Sequence, residues 1–393
     1  MKKLIALFMA MAMVFSLAAC GSSSSSSDAD TTGDASAAAD TSAASDATAT
    51  NTDYRVAMIT DYGDITDQSF NQTTYEACKE YCAANGLDFI YYKPDSDSDA
   101  DRVAMVEKAV DEGYNVVVMP GYAFAPTIEA TAEDYSDITF IALDVSSSDF
   151  SEGYELPSNV YCAVYQEELA GYMAGVAAVK LGYTHLGFLG GMAVPAVIRY
   201  GYGFVLGADA AAAELGADVT IEYVYGNQFS GDSDITAYMD SWYQNLGVEV
   251  VFACGGSIYT SACESAAKVD GKVIGVDTDQ AELIDGTYGE GMTVTSAMKG
   301  LATTVKDMLD EVVAGNFAEY GGQIATLGLV SGTDPESNYV QIPLESTQWS
   351  DSFTQDDYVA LVADMYDGTV TVSNDTTTEP EVSIAVNYYG NVK

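Results

Sequence analysis

Short apolar runs alternate along this chain with longer segments whose apolar residues recur at helical spacing. The runs are residues 55–60, 88–92, 115–119 and 139–143 in a first series, and 159–164, 185–189, 220–224, 250–253 and 272–276 in a second. Most are apolar on both faces, which is typical of parallel strands covered by helices on each side. The pattern therefore predicts an α/β protein in which two doubly wound, Rossmann-like lobes face each other across a ligand cleft.

After the second series the chain returns, and residues 293–314 are predicted to form a short strand and a helix. We assign residues 54–158 and 278–318 to an N-terminal lobe, and residues 159–277 and 319–393 to a C-terminal lobe. A last strand is predicted at 383–387. The helix predicted at 167–181 carries Gly171 and Gly175 one turn apart, which indicates close packing against a neighbouring element.

The start of the chain predicts export and attachment to a membrane. A basic beginning is followed by an apolar segment, residues 4–18, that is too short to span a bilayer. The sequence Leu-Ala-Ala-Cys that ends at Cys20 resembles a bacterial lipobox, which implies removal of residues 1–19 and lipid modification of Cys20. Residues 22–53 are mostly Ser, Ala, Asp and Thr with almost no large apolar side chain, so we expect residues 20–53 to be a lipidated Cys and a disordered tether. The folded part would then stand on the extracytoplasmic face of the cell membrane.

The composition excludes several kinds of partner. Asp and Glu number 59 against 14 Lys and Arg, and the formal charge of −45 repels nucleic acid. A single His excludes a His-based triad or a multi-His metal site, and we expect neither a metal nor a cofactor. Five cysteines follow Cys20 without a CxxC motif and are predicted to be small buried apolar residues. These are Cys78, Cys82, Cys162, Cys254 and Cys263.

The most informative stretch is residues 61–71, a predicted loop between the first strand and a helix predicted at 75–84. Such strand-to-helix loops are where open α/β sheets bind ligands. This loop carries Asp61, Phe70 and Asn71 but no basic residue, so it suits a neutral, hydroxylated, flat ligand better than a phosphate.

Two neighbouring carboxylates and a hydroxyl in the same stretch have simpler interpretations. We expect Asp64 and Asp67 to shape the loop, and the Ser69 hydroxyl to cap the following helix.

Other polar and aromatic residues follow later strands, where parallel sheets place their binding sites. They are Asp144 in the first lobe and Tyr200, Phe229, Asp277 and Lys299 in the second series and the returning segment. A carboxylate at a strand end can accept two hydroxyl hydrogens from a vicinal diol, and an aromatic ring from each lobe can enclose a flat ring.

Each of these residues also has a structural interpretation. Asp61 and Asp144 could equally be turn residues, Tyr200 could belong to a helix core, and Lys299 could be a solvated surface cation. Asp277 is the strongest candidate among the carboxylates because it ends the buried strand Val-Ile-Gly-Val.

Several motifs together resemble the basic membrane protein family of substrate-binding lipoproteins, whose characterised members bind purine nucleosides for ABC transporters. The matching stretches include Ser69-Phe70-Asn71, Gln166-Glu167-Glu168 and Val276-Asp277-Thr278-Asp279-Gln280. They follow the family's order from about residue 55 to about residue 370. The resemblance implies a type I periplasmic-binding fold, with two lobes joined by three crossovers, and a binding protein instead of an enzyme.

The resemblance also implies roles for individual residues. Phe70 would stack on the base, with Phe229 as the first choice and Tyr200 as the second for the other face. Asn71 and Asp144 would contact the edge of the base, and the ribose would be surrounded by Asp61, Asp277 and Lys299. The implied partners are a purine nucleoside and an ABC permease, and we expect a monomer. A receptor for a sugar or another small neutral ligand, and an enzyme acting on nucleosides, remain as alternatives.

Overall fold

The computed structural model describes residues 53–393, so the predicted signal peptide, Cys20 and nearly all of the tether lie outside the described residues. The strands are β1 (Arg55–Ile59), β2 (Asp88–Tyr92), β3 (Val116–Pro120), β4 (Thr139–Leu143), β5 (Val160–Tyr165), β6 (His185–Gly190), β7 (Thr220–Tyr225), β8 (Val250–Cys254), β9 (Lys272–Asp277), β10 (Thr293–Lys299), β11 (Gln323–Leu327), β12 (Val340–Gln341) and β13 (Ala385–Asn391). The helices are α1 (Phe70–Asn85), α2 (Asp99–Asp111), α3 (Ala125–Thr131), α4 (Glu167–Lys180), α5 (Pro195–Leu215), α6 (Ser233–Ser241), α7 (Tyr259–Ala266), α8 (Ala281–Tyr288), α9 (Leu301–Ala314) and α10 (Gln355–Tyr366). Among them, not one combines the length and the apolarity that a membrane span requires.

Two sheets organise the fold. The first has the strand order β2-β1-β3-β4-β5-β11, and all of its neighbouring strands are parallel. The second has the order β13-β7-β6-β8-β9-β10-β12, in which only β12 is antiparallel to its neighbour. The central strands β1, β3, β6 and β8 are buried almost throughout, as the continuous apolar runs predict. The predicted α/β architecture with parallel sheets is confirmed.

The chain crosses between the sheets at three places: between β5 and α4, between β10 and α9, and between β11 and β12. Three strands next to these crossings belong to a different lobe from the one predicted above. β5 and β11 belong to the first sheet, and β10 belongs to the second. The reason is that each crossing follows a strand that still pairs with the sheet the chain is leaving, whereas the sequence shows only where loops interrupt the pattern. The helices α4 and α9 then pack in the lobe that the chain enters, against α5 and α1 respectively.

The close packing expected of α4 is present. A Cβ at Gly171 would lie 2.1 Å from the carbonyl oxygen of Tyr200, and one at Gly175 would lie 2.2 Å from that of Phe204. These two positions therefore let the backbones of α4 and α5 touch, which fixes the start of α5 beside the cleft. All five cysteines among residues 53–393 are buried and free, as predicted.

The final segment adds an edge strand that was predicted two residues too early. β13 pairs in parallel with β7 over Ala385–Tyr388, and Asn391 then pairs with Tyr225 after an irregularity. Gly390 lies in this irregularity with a φ of 71°, a left-handed conformation that glycine adopts without strain.

Candidate functional site

A cavity of about 680 Å³ lies between the two sheets, at the carboxyl ends of their strands. This is the place where doubly wound sheets bind ligands. The structure brings all eight predicted ligand-binding residues to its wall: Asp61, Phe70, Asn71, Asp144, Tyr200, Phe229, Asp277 and Lys299. The sequence pattern therefore located the cavity, and the geometry below describes what each side chain does there.

The first-lobe wall is built by the stretch after β1. Asp67 accepts hydrogen bonds from the backbone amides of Ser69 (3.0 Å), Asn71 (2.9 Å) and Gln72 (3.0 Å). Because one carboxylate satisfies the free amides of the first turn, α1 begins at Phe70, five residues earlier than predicted. Phe70 and Asn71 thus project from a helix and not from a loop.

The expectation that Ser69 caps α1 with its hydroxyl is wrong. Its side chain makes no cap hydrogen bond, because Asp67 already binds the amides. The Ser69 hydroxyl instead donates to Asp277 Oδ2 across the cleft, at 2.6 Å. A second tie runs beside it, in which Gln280 Nε2 donates to the Gln68 carbonyl oxygen at 3.0 Å. The first-lobe loop is thereby joined to the end of β9 in the second sheet.

Lys299 at the end of β10 is the centre of charge in the cavity. Its side chain is only 3% exposed, and its ammonium group pairs with Asp144 of the first lobe. It also lies 3.5 Å from Glu167 Oε1 and 3.7 Å from Asp277 Oδ1. The ammonium group lies 4.8 Å from the centre of the Phe70 ring, a cation–π distance. Lys299 is therefore not the solvated surface cation that was the alternative interpretation.

Asp144 and Asp277 adopt the same uncommon backbone conformation. Each directly follows or ends its strand with a positive φ, 58° for Asp144 and 65° for Asp277. Non-glycine residues in this left-handed region are strained and cluster at functional sites. The strand ends therefore hold both carboxylates toward Lys299 at the expense of backbone strain.

Asp61 has a structural part in the same wall. Its Oδ1 accepts the amides of Tyr62 (2.6 Å) and Gly63 (2.7 Å), which turns the chain sharply after β1. A Cβ at Gly63 would lie 2.2 Å from Asn71 Nδ2, so only glycine lets this turn pass beneath the amide.

Three buried polar atoms on the wall have no hydrogen-bond partner among the described residues. They are Asn71 Oδ1, Asp144 Oδ1 and the Tyr200 hydroxyl. A buried polar atom without a partner is destabilising by about 1–3 kcal/mol, so each one favours a polar group that enters the cavity. Tyr200 presents this hydroxyl while its ring packs edge-on against Phe252, with ring centroids 5.9 Å apart.

In the second lobe, the Phe229 ring packs directly against two glycines. A Cβ at Gly191 would lie 2.4 Å from the Phe229 ring, and one at Gly255 would lie 2.8 Å from it. The ring is therefore seated directly on backbone at the ends of β6 and β8, and it remains half-buried. Tyr62 of the first lobe approaches it, with ring centroids 6.5 Å apart.

Sequence reasoning gave no role to several residues at this site. Glu167 is fully buried at the start of α4, where its Oε2 accepts from Arg199 Nε at 2.6 Å while Oε1 faces Lys299. Tyr62 donates its hydroxyl to Met192 Sδ across the cleft at 3.6 Å. The signal for Glu167 was present, because Glu167 and Glu168 open an otherwise apolar helix and charges in such a position need a buried partner.

Burial and mutual charge shift the pKa values of these groups. Burial raises the pKa of Asp277, and the ammonium of Lys299 opposes that rise. Burial would lower the pKa of Lys299, but the carboxylates of Asp144, Asp277 and Glu167 raise it, so the lysine stays charged. Burial raises the pKa of Glu168 to about 7. The cavity therefore holds a fixed positive charge among carboxylates, an arrangement suited to binding polar groups.

Two doubly wound lobes with three crossovers around such a cavity are the architecture of the type I periplasmic-binding fold. The solved structures of the same class include the ABC transporter solute-binding protein of Aeropyrum pernix K1. It superposes with a TM-score of 0.63 over 82% of this chain and 88% of its own, at 21% sequence identity.

The chain belongs to the Bmp family, the PnrA-like ABC transporter substrate-binding proteins, whose family model matches residues 54–342. It is 27% identical over 340 residues to the ABC transporter nucleoside-binding protein BmpA of Lactococcus lactis, a match that covers 82% of this chain and 89% of the relative. It is 26% identical to basic membrane protein B of Borreliella burgdorferi, over 71% of this chain and 79% of the relative. The family resemblance predicted from the motifs is confirmed, and the family is one of substrate-binding proteins, not enzymes.

Proposed function

We propose that the cavity binds a purine nucleoside and that closure of the lobes prepares it for delivery to an ABC permease. One observation carries this proposal: the wall of a single cavity contains both carboxylates and two half-buried aromatic rings, Phe70 and Phe229, which come from opposite lobes. Rings that enclose a flat heterocycle beside acceptors for vicinal hydroxyls fit a nucleoside better than a sugar alone. The nucleoside-binding name of the Lactococcus relative supports the same choice.

In this proposal, the unpartnered polar atoms of the cavity wall indicate which part of the nucleoside each residue contacts. The base lies between Phe70 and Phe229, and its edge meets the free oxygens of Asn71 and Asp144. Tyr200 is a poorer stacking partner than Phe229 because its ring is 1% exposed and packed against Phe252. Its unpartnered hydroxyl is suited to a hydrogen bond instead.

The ribose lies toward the charged end of the cavity. Asp277 has one oxygen bound to Ser69 and the other 3.7 Å from Lys299. Each carboxylate oxygen has two lone pairs, so both can still accept a ribose hydroxyl. Lys299 and Asp61 complete this end, with Asp61 also holding the turn after β1.

The beginning of the chain completes the proposed function. Lipid attachment at Cys20, followed by the Ser-, Ala-, Asp- and Thr-rich segment, would keep the receptor at the extracytoplasmic face of the membrane, near its permease. Stable anchoring requires more than one acyl chain, and the lipid modification of a lipoprotein cysteine would provide them. The folded part would act as a monomer.

Ligand-dependent thermal unfolding tests the proposed ligand. Protein unfolded and refolded to remove any carried ligand should show a raised thermal midpoint with adenosine, guanosine or inosine, because a ligand at about 100 times its Kd stabilises the folded state by about 2.7 kcal/mol. Free ribose and free bases are the controls. A shift with ribose but with no nucleoside would support a sugar receptor, and no shift with any nucleoside would refute the proposal.

The same preparation tests the role of Asp277. Asp277→Ala should weaken binding of a riboside by about tenfold more than binding of the free base, because only the riboside has a diol. Asp279→Ala is the matched control, since this exposed carboxylate two residues later does not line the cavity. Equal losses for riboside and base would remove the diol role from Asp277.

A further inference from the structure

Residues 383–393, which we call the edge segment, lie beyond the part of the chain that the family model matches. The first two residues of the segment are hydrogen-bonded to a carboxylate of α5. The backbone amides of Ser383 and Ile384 both donate to Asp209 Oδ1, at 2.8 and 3.1 Å. The edge segment then runs as β13 along the whole length of β7.

A buried carboxylate fixes the middle of the edge segment. Glu222 of β7 is 4% exposed, and it accepts from the Tyr389 hydroxyl at 2.6 Å and from Asn387 Nδ2 at 3.2 Å. His185 of β6 approaches the same carboxylate at 3.0 Å. Because a buried carboxylate without these partners would be destabilising, the register of β13 on β7 is specified by side chains as well as by the backbone.

The end of the edge segment reaches the loop that carries Phe229. We call residues 226–232, which connect β7 to α6, the Phe229 loop. The Val392 amide donates to the Tyr225 carbonyl at 2.8 Å, directly before this loop begins. Lys393 pairs with Asp232, directly before α6 begins. The edge segment therefore holds both ends of the loop.

The contact at Asp232 continues toward the cavity. Asp232 caps α6 by accepting the amides of Asp234 and Ile235, and its other oxygen accepts from Gln228 Nε2 at 2.9 Å. Gln228 lines the cavity and immediately precedes Phe229. Lys393 thus neutralises the carboxylate that binds the side chain next to the aromatic residue.

We infer that the edge segment is a positioning element for the ligand site, which acts through Lys393, Asp232 and Gln228 to hold Phe229 against its glycine seat. The inference rests on the proposed function in one respect, namely that Phe229 contacts the bound nucleoside. It adds that affinity for the nucleoside depends on residues outside the cavity, in the edge strand of the second sheet and the two residues that follow it.

Charge reversal at Lys393 tests this inference. Lys393→Glu places a carboxylate beside Asp232 and Asp234 and should release the loop. In ligand-free protein we expect amide hydrogen exchange at Asn227 and Ser257 to become about threefold faster or more, because these amides bond to Gly191 and to Phe229 itself, at 2.9 Å each. The affinity for the nucleoside that stabilises the wild type most should fall by about tenfold.

Lys268→Glu is the matched control. Lys268 pairs with Asp240 of α6 at 2.7 Å in the same lobe. The exposed fractions of these two side chains are similar to those of Lys393 and Asp232. It lies away from the Phe229 loop, so its reversal should change neither the exchange at Asn227 and Ser257 nor the affinity by more than about twofold.

A double-mutant cycle separates positioning from general destabilisation. In a Phe229→Ala background, Lys393→Glu should have less than about a twofold effect on affinity, because the ring that it positions is gone. An equal loss of affinity in both backgrounds, or exchange rates unchanged from those of the Lys268 control, would overturn the inference. If wild-type protein binds no nucleoside, the proposed function fails, and the exchange measurement alone still decides whether the edge segment holds the loop.

Discussion

The buried charge of Lys299 allows a quantitative test of how the cleft is built. Replacing it by Met preserves most of the side-chain volume but leaves Asp144 and Asp277 without their cation, and leaves Glu167 with Arg199 alone. Removing one partner of a buried ion pair typically destabilises a protein by about 3–5 kcal/mol. The entropy of unfolding is about 2.1 cal/mol/K per residue, so for a folded part of this size Lys299→Met should lower the thermal midpoint at neutral pH by about 4–7 °C.

The loss should also depend on pH. Burial raises the pKa of Asp277 and of Glu167, and Lys299 opposes both rises. Without the lysine these pKa values rise further above those of the unfolded chain. A raised carboxyl pKa stabilises the folded state below the unfolded pKa, and this stabilisation is lost as the pH rises through the folded pKa. The destabilisation by Lys299→Met should therefore shrink as the pH is lowered from about 7.5 toward about 4.5.

Thermal unfolding followed by circular dichroism across that pH range measures both effects. Lys306→Met is the control, because Lys306 pairs with Glu80 at 3.0 Å on the surface, and such a pair contributes less than about 1 kcal/mol. Adding Asp144→Asn to Lys299→Met should restore at least about 1 kcal/mol by removing one uncompensated charge. The reasoning is refuted if Lys299→Met and Lys306→Met have equal effects, or if the second substitution only adds to the loss.

Two further predictions follow from neighbouring groups. Burial raises the pKa of Glu168 from 4.5 to about 7, so its stabilising contribution is present below pH 4.5 and lost by about pH 7. Glu168→Gln should then raise the free energy of unfolding near pH 8 by up to about 3 kcal/mol and change it little near pH 4, which chemical denaturation at the two pH values checks. Gly191→Ala places a methyl group 2.4 Å from the Phe229 ring and should weaken nucleoside binding by about tenfold in calorimetric titration. Gly286→Ala, with nothing within 4 Å of its new Cβ, should leave binding unchanged, and a loss of affinity there would contradict this explanation.

The parallel sheets and the ligand-binding edge were predictable because both depend on local patterns. Continuous apolar runs mark buried parallel strands, and the rule that ligands bind at their carboxyl ends then selects Asp144, Asp277 and Lys299. The sheet membership of β5, β10 and β11 was not predictable in the same way. A strand that ends one lobe and a strand that begins the next have the same apolar pattern, and only long-range pairing distinguishes them.

The roles of individual side chains were harder to predict than their positions. Ser69 stands where a helix cap is expected, yet Asp67 binds the amides and leaves the hydroxyl free to reach Asp277, 208 residues later in the chain. Glu167 was recognised only as part of a family motif. Its partners Arg199 and Lys299 lie on other elements, and their contacts depend on a crossing that the sequence pattern does not specify.

Two of the contacts between the lobes involve carboxylates that face the cavity. Lys299 of the second sheet pairs with Asp144 of the first lobe, and Ser69 of the first lobe donates to Asp277 of the second. Separating the lobes would therefore expose the lysine and break a hydrogen bond to each carboxylate, at positions where the backbone is already held at positive φ. Under the proposed function, a ligand that donates hydrogen bonds to both carboxylates would bridge the two lobes and would also satisfy the free oxygen of Asp144. If the proposed function is correct, recognition and closure depend on one set of charges, and a substitution that changes one should change the other.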